Sequence, residues 1–162
     1  MSDAELVAEA LKFEKNLLNF FWRQGVSLSE GEDLVQETYL RLWNYRRSYR
    51  PSAKLSTFLF LIARQVRIDA LRRQTRRETR EDAWGRDRPD AENPPAFCAK
   101  DDVRWAVAQL SEPLREVVEL GVFQDLPYAE VAEILGIPVG TVKSRMSNAI
   151  KRLKEVMDDR RP

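Results

Sequence analysis

The chain has 162 residues, 27 Lys and Arg against 26 Asp and Glu, 43% hydrophobic residues, one cysteine and no histidine. One cysteine excludes an internal disulfide, and the lack of histidine removes the usual zinc ligand sets and the commonest general base, so no metal, no cofactor and no enzymatic activity are expected. The longest apolar run, Phe58 to Ala63, is far short of the roughly 18 residues of a membrane span, and the acidic start does not resemble a secretory signal, so no membrane insertion and a cytoplasmic location are expected.

Helical periodicity dominates, and no stretch alternates as a half-buried strand does, so the expected fold class is all-α. Leu6, Ala10, Phe13, Leu17 and Phe20 recur at three- and four-residue spacings and predict a first helix ending near Gly25. Ser29 with Glu32 is a capping-box pattern that opens a second helix carrying Leu34, Val35, Tyr39, Leu42 and Trp43. Up to Tyr45, eight acids meet four bases, a balance of −4. After a break at Arg50-Pro51-Ser52, a third helix begins near Ser56 and runs through Leu59, Ile62, Ala63, Val66 and Ala70 into an arginine run. Between residues 64 and 80 seven arginines face only Asp69 and Glu78, a balance of +5. The aromatics ahead of that run (Tyr45, Tyr49, Phe58, Phe60) suit stacking of unpaired bases beside positive charge, and equally suit a packed core.

Residues 81–100 hold three prolines, one glycine and five acids without helical period, and read as a flexible linker between two small helical domains, 1–80 and 101–158. Cys98 lies in this linker with no thiolate-stabilising pattern around it, and no role is assigned to it. Beyond it, Val103, Val107 and Leu110 mark a new helix. Ser111-Glu112-Pro113 opens the next with proline in its first turn, and Leu114, Val117, Val118 and Val122 form its apolar face. A short helix from about Pro127 to Leu135 closes at Gly136, a residue suited to a left-handed cap. The final helix starts near Val139 and presents Val142, Met146, Ala149, Ile150, Leu153 and Met157 on one face, with Asp158 to Pro162 expected to fray.

The segment from Pro127 to Lys154 is a helix-turn-helix pattern: a short helix, a tight glycine-containing turn and a longer helix. Residues 143–154 carry five bases and no acid. With Val142 and Met146 turned inward, Lys143, Ser144, Arg145, Ser147 and Asn148 point outward at the end that would meet base edges, and Gly140 and Thr141 open the helix with little bulk. Arg and Lys donate to guanine, and Asn pairs with adenine. Lys151 and Arg152 follow where phosphates would lie.

In order, EDLVQETYLRLW (32–43), KLSTFLFLIARQVRIDALRR (54–73), a Pro-rich linker and LSEPLREVVEL with LPYAEVAEILGIPVGTVKSRMSNAIKRLK (110–154) resemble an extracytoplasmic-function (ECF) sigma factor of the sigma-70 family. The resemblance implies that residues 1–80 are sigma region 2, which docks on core RNA polymerase and reads and melts the minus-ten element, and that 101–158 are region 4, which binds the minus-35 element. It places Asp33, Leu34, Gln36, Glu37, Arg41 and Trp43 in the polymerase-docking helix. It places Ser56, Thr57, Phe58, Arg64, Gln65, Arg67, Asp69 and Arg72 in the minus-ten segment, and Thr141, Lys143, Ser144, Arg145, Ser147, Asn148, Lys151 and Arg152 at the minus-35 element. The implied partners are core RNA polymerase, promoter DNA and an anti-sigma factor, for a chain that is monomeric when free and acts in the cytoplasm at the nucleoid.

The chain departs from the family pattern at a few positions. Thr57-Phe58 stands where Thr-Trp is usual, Arg64-Gln65 where Arg-Asn is usual, and Arg67 where a small residue is common; Ser147 and Asn148 replace common basic positions. Phe lacks the indole donor and Gln is longer than Asn, so the implied minus-ten base contacts differ here. The alternative from another class is a stand-alone helix-turn-helix regulator that binds duplex DNA as a symmetric dimer. A nucleic-acid-processing enzyme would need a convergent carboxylate cluster, and the linker acids are too scattered to form one.

Overall fold

The computed structural model describes residues 1–50, 54–81 and 101–160. Pro51 and Ser52, most of the expected linker with Cys98, and the last two residues of the chain lie outside the described residues. The elements in chain order are α1 (Asp3–Leu11), α2 (Glu14–Arg23), α3 (Leu28–Tyr45), a 3-10 turn (Arg46–Ser48), α4 (Leu55–Glu81), α5 (Asp101–Ala108), α6 (Glu112–Val118), a π-helical turn (Glu119–Phe123), α7 (Tyr128–Leu135) and α8 (Val139–Arg160). No strand occurs among the described residues.

The single first helix expected up to Gly25 is two helices. The chain bends at Lys12-Phe13, where Phe13 adopts φ −93° and ψ 7°. The three/four spacing survives the bend because both helices bury that face, with Leu6 and Ala10 in α1 and Leu17 and Phe20 in α2. A capping box fixes the start of α1: the Ser2 hydroxyl accepts from the Glu5 backbone N–H at 3.2 Å, and the Glu5 carboxylate accepts from the Ser2 N–H at 2.8 Å. The second helix starts one residue pattern earlier than Ser29-Glu32 indicates. Ser27 is its N-cap, accepting from the Glu30 N–H at 3.2 Å, because the turn at Gly25 (φ 86°) already delivers the chain into α3 there.

The end of α2 is buried on every side: Phe20, Phe21, Trp22 and Arg23 are consecutive buried residues. One side packs on α3 and α4, the other on α5. Gly31 of α3 admits this approach, since a Cβ there would sit 3.2 Å from Leu18 Cδ1. The first half of α4 supplies the other wall through Leu59, Phe60, Ile62, Ala63, Val66 and Ala70. Phe60 meets Phe13 and Phe20 edge-on at ring distances of 6.5 and 5.6 Å, so it is a core aromatic rather than a platform for bases. From Arg72 to Arg77, α4 continues as an exposed, arginine-rich arm.

In the second half of the chain, α6, α7 and α5 pack on α8. Val117, Val118, Val131, Ile134, Val142, Met146 and Ala149 are all buried. The inward face of α8 continues at Val156, while Ile150 and Met157, expected on that face, are 43% and 41% exposed. The helix reaches Arg160, past the expected fraying point at Asp158. Buried residues of both halves join in one contiguous apolar cluster, with α7 packed on α4 and α5 on α2. The sequence left the relation of the two halves open; in this structure they are closed on each other.

Candidate nucleic-acid and polymerase interfaces

The helix-turn-helix is built by α7, a turn and α8. Gly136 ends α7 at φ 67° and ψ 36°, a left-handed cap that glycine adopts without strain. The Ile137 N–H then donates to the Ala132 carbonyl at 3.1 Å, closing the turn. With Val142, Met146 and Ala149 buried, Lys143, Ser144, Ser147, Asn148, Lys151 and Arg152 are exposed, while Thr141 and Arg145 are half-buried. The Ser144 hydroxyl donates to the Thr141 carbonyl at 3.2 Å, and Arg152 pairs with Glu155 at 3.3 Å. Lys143, Ser147 and Lys151 recur every four residues along this exposed surface, the spacing of one helix face.

The expected docking residues on α3 divide by depth. Asp33, Gln36 and Trp43 are exposed, whereas Leu34 is 5% exposed and belongs to the core, so it supports the surface from beneath. Arg41 bridges helices, with its guanidinium 3.0 Å from Glu37 and 2.7 Å from Asp69 of α4. Burial works against the Arg41 charge, but the hydrogen bonds to Asp69 and Glu37 outweigh it and hold the guanidinium above its ordinary range. Arg41 and Asp69, expected at two different interfaces, thus engage each other. Beside them lies an apolar groove between α1 and α3, lined by Val7, Leu11, Gln36, Leu40 and Trp43. Leu40 and Leu11 are 61% and 53% exposed. Both were missed in the sequence, although Leu40 sits four residues after Gln36 and three before Trp43, on one helix face.

The residues of α4 expected at the minus-ten element are partly covered. Ser56 is half-buried, Thr57 is buried with no partner for its hydroxyl, and Phe58 is half-buried with its ring 5.4 Å from Tyr49. Gln65 and Arg72 are exposed. Arg64 lies 3.2 Å from Glu116 of α6. Arg67 donates to the Gln24 carbonyl at 3.4 Å, and burial pushes its guanidinium below the ordinary range. Arg64 and Arg67 share a small cleft with Glu112, Arg115, Glu116 and Glu119.

Between the halves, the Arg23 guanidinium grips the Glu119 carboxylate through two hydrogen bonds of 2.7 and 2.8 Å. Gln124 adds a third donor to Glu119 at 3.0 Å, and the Arg23 guanidinium lies 4.1 Å from the centre of the Phe123 ring. Burial pushes the Glu119 carboxyl up, while Arg23 and Gln124 pull it back. Arg104 of α5 sits 3.5 Å above the Trp22 ring and donates to the Trp22 carbonyl at 3.0 Å. None of these contacts between the halves was legible in the sequence; the one local sign was a lone arginine ending the apolar run Phe20-Phe21-Trp22.

Family models account for both halves: sigma-70 region 2 matches residues 12–77 and sigma-70 region 4 matches residues 100–153. The ECF RNA polymerase sigma factor RpoE of Cereibacter sphaeroides is 33% identical over 151 residues, 90% of this chain and 82% of that relative. The chain belongs to the ECF branch of the sigma-70 family. It is therefore an RNA polymerase sigma factor, a transcription initiation factor rather than a stand-alone regulator. The ECF sigma factor SigL of Mycobacterium tuberculosis is 31% identical over 146 residues, 85% of this chain and 82% of its own. Among solved structures, the sigma factor RpoE in its co-crystal with the anti-sigma factor NepR from Bartonella quintana matches with a TM-score of 0.82 at 28% identity, over 97% of this chain and 99% of that one. Among the described residues of this sigma factor, no helix is long and apolar enough to cross a membrane.

Proposed function

We propose that this sigma factor uses 1–80 as region 2 and 101–158 as region 4, joined by 81–100, and that it selects promoters through the surfaces described above. The observation that carries the reading is the acid-free outer face of α8, from Lys143 to Arg152, held outward by buried Val142, Met146 and Ala149. Placed in a major groove, Lys143, Ser144, Arg145, Ser147 and Asn148 reach base edges of the minus-35 element, and Thr141, Lys151 and Arg152 hold flanking phosphates. Asp33, Gln36, Glu37 and Trp43, with the groove at Leu11 and Leu40, form the docking surface for core polymerase. Its acidic rim steers association with a basic partner, and its apolar floor supplies the buried area.

Region 2 opens DNA by capture rather than by covalent chemistry. Unstacking a base costs a few kcal/mol, which stacking on an aromatic and contact with Arg64, Gln65, Arg67 and Arg72 offset. The polymerase performs the synthesis, and the sigma factor carries no catalytic residue. An anti-sigma partner is proposed on the likeness to the NepR-bound relative, and the site of action is the cytoplasm, at the nucleoid.

In vitro transcription with bacterial core polymerase on a promoter-fragment library, with footprinting of the open complex, tests this reading. Initiation dependent on the added chain, protection at two elements and loss of the upstream footprint with Lys143→Ala plus Asn148→Ala are expected. Tight duplex binding by the chain alone, without core binding or initiation, would sink it.

A further inference from the structure

We propose that Arg46 is a positioning residue of the polymerase-docking groove: it fixes the Trp43 indole on one wall and the start of α1 on the other, so that the groove stands preformed when core polymerase arrives. This role rests on the docking function proposed above for Trp43 and the groove at Leu11 and Leu40.

Arg46 is the C-cap of α3 and opens the 3-10 turn. Its guanidinium makes three contacts at once. The central carbon lies 4.0 Å from the centre of the Trp43 ring, Nη1 donates to the Trp43 carbonyl at 2.8 Å, and Nε donates to the Asp3 carboxylate at 3.1 Å. The first two hold one residue by its ring and by its backbone, so the indole cannot leave its rotamer without giving up the stacked cation. A cation here also opposes the partial negative charge at the C-terminus of α3. Trp43 is 43% exposed; Arg46 covers it on one side, and it lines the groove with Val7, Leu11 and Leu40 on the other.

The tie to Asp3 acts on the opposite wall. Near its C-terminal end α1 is fastened to α3 by the Tyr39 hydroxyl, which donates to the Ala10 carbonyl at 3.1 Å. At its first residue it is fastened by Asp3 to Arg46. Both ends of the α1 wall are thus tied to α3 or to the turn that follows it.

An exposed ion pair adds little to stability, but it acts on binding by another route. A side chain that must be ordered at an interface costs affinity, and one already held does not. Charge alone predicts the opposite effect. The rim at Asp33 and Glu37 is acidic and suits a basic partner, so deleting a nearby cation would by electrostatics tighten the complex. A loss of affinity on removing Arg46 therefore reports positioning.

The test titrates the full chain, labelled with a fluorophore at its single cysteine, Cys98, with bacterial core polymerase. In parallel, the free chain carrying 5-fluorotryptophan is read by fluorine NMR, with Trp43→Phe assigning the Trp43 line among the four indoles. Arg46→Gln is expected to weaken core binding about three- to tenfold and to move the Trp43 line toward that of a solvated indole. The thermal midpoint should fall by no more than about 4 °C, as loss of one exposed ion pair and one cation–π contact allows. Arg46→Lys keeps the charge but not the forked donors and should recover part of the affinity, and Asp3→Asn should give a smaller loss than R46Q. Trp43→Ala should weaken binding at least about tenfold, and adding R46Q to it should change nothing further. Losses that multiply in the double variant, an unmoved Trp43 line in R46Q, or full affinity in R46Q beside weak binding by W43A overturn the positioning role and leave the docking surface standing. Full affinity in W43A overturns the docking surface itself, and the role of Arg46 with it.

Discussion

Replacing Arg23 with Met removes the charge that holds Glu119 in the interior while keeping most of the volume of the side chain. Glu119 is 2% exposed, and its remaining partner is Gln124 at 3.0 Å. Removing one member of a buried pair costs about 3–5 kcal/mol, because a charge is left buried and uncompensated. The surviving Gln124 bond puts R23M toward the lower end, and the lost contact with Phe123 adds about 0.5–1 kcal/mol. At about 3.5–4 kcal/mol, the shift in Tm is about 7–16 °C for a chain of this size. The cost should shrink on acidification. Burial raises the folded-state pKa of Glu119, so as pH falls through that value the folded chain takes up the proton and sheds the unpaired charge. Exchanging both partners, R23M/E119L, should return stability to within about 1 kcal/mol of the unaltered chain or above it, since a well-packed apolar pair avoids desolvation. Urea denaturation followed by helical circular dichroism, with unchanged m value, measures R23M, E119L and R23M/E119L. A cost for R23M below about 1 kcal/mol, or a double variant as unstable as the summed singles, would refute the reasoning.

Lys151→Ala should weaken duplex binding across all sequences and reduce the salt slope by about one, whereas Asn148→Ala should cost about 1–3 kcal/mol at one base position; salt-series anisotropy distinguishes them. Leu40→Asp should lower affinity for core polymerase by at least about 2 kcal/mol, as for an anchor at the centre of an interface, with the thermal midpoint unchanged because Leu40 is 61% exposed. Gly136→Val should cost about 1–2 kcal/mol through backbone strain alone, since φ is +67° and nothing lies within 4 Å of the added carbon. Tyr39, whose hydroxyl donates to the Ala10 carbonyl at 3.1 Å, is pushed up to about 12, first by burial and then by Glu14. Its contribution is complete below pH 10 and declines as pH rises toward 12. Because the ring is only half-buried, solvent screening reduces this contribution to about 1 kcal/mol. Phenolate absorbance during alkaline titration should contain a step near pH 12, and Tyr39→Phe should abolish that step.

The all-α class, the helix-turn-helix and the outward residues of α8 were legible in the amino-acid sequence because each rests on spacing within one helix. Helical period places Val142, Met146 and Ala149 on the opposite side from Lys143 and Ser147 whatever else the chain does. Local chemistry was read less surely where two patterns compete. The spacing from Leu6 to Phe20 does not register the bend at Phe13, since both helices bury the same stripe, and Ser29-Glu32 has the letters of a capping box while Ser27 holds the position. The tertiary structure alone decided that Phe60 is core, that Leu34 lies beneath the docking surface and that Arg41 is tied to Asp69. It alone brought Arg23 to Glu119, ninety-six residues away, and covered Arg64 with Glu116. A pairing across that separation leaves no period in the chain, and its residues are ordinary charged residues until folding removes the water around them.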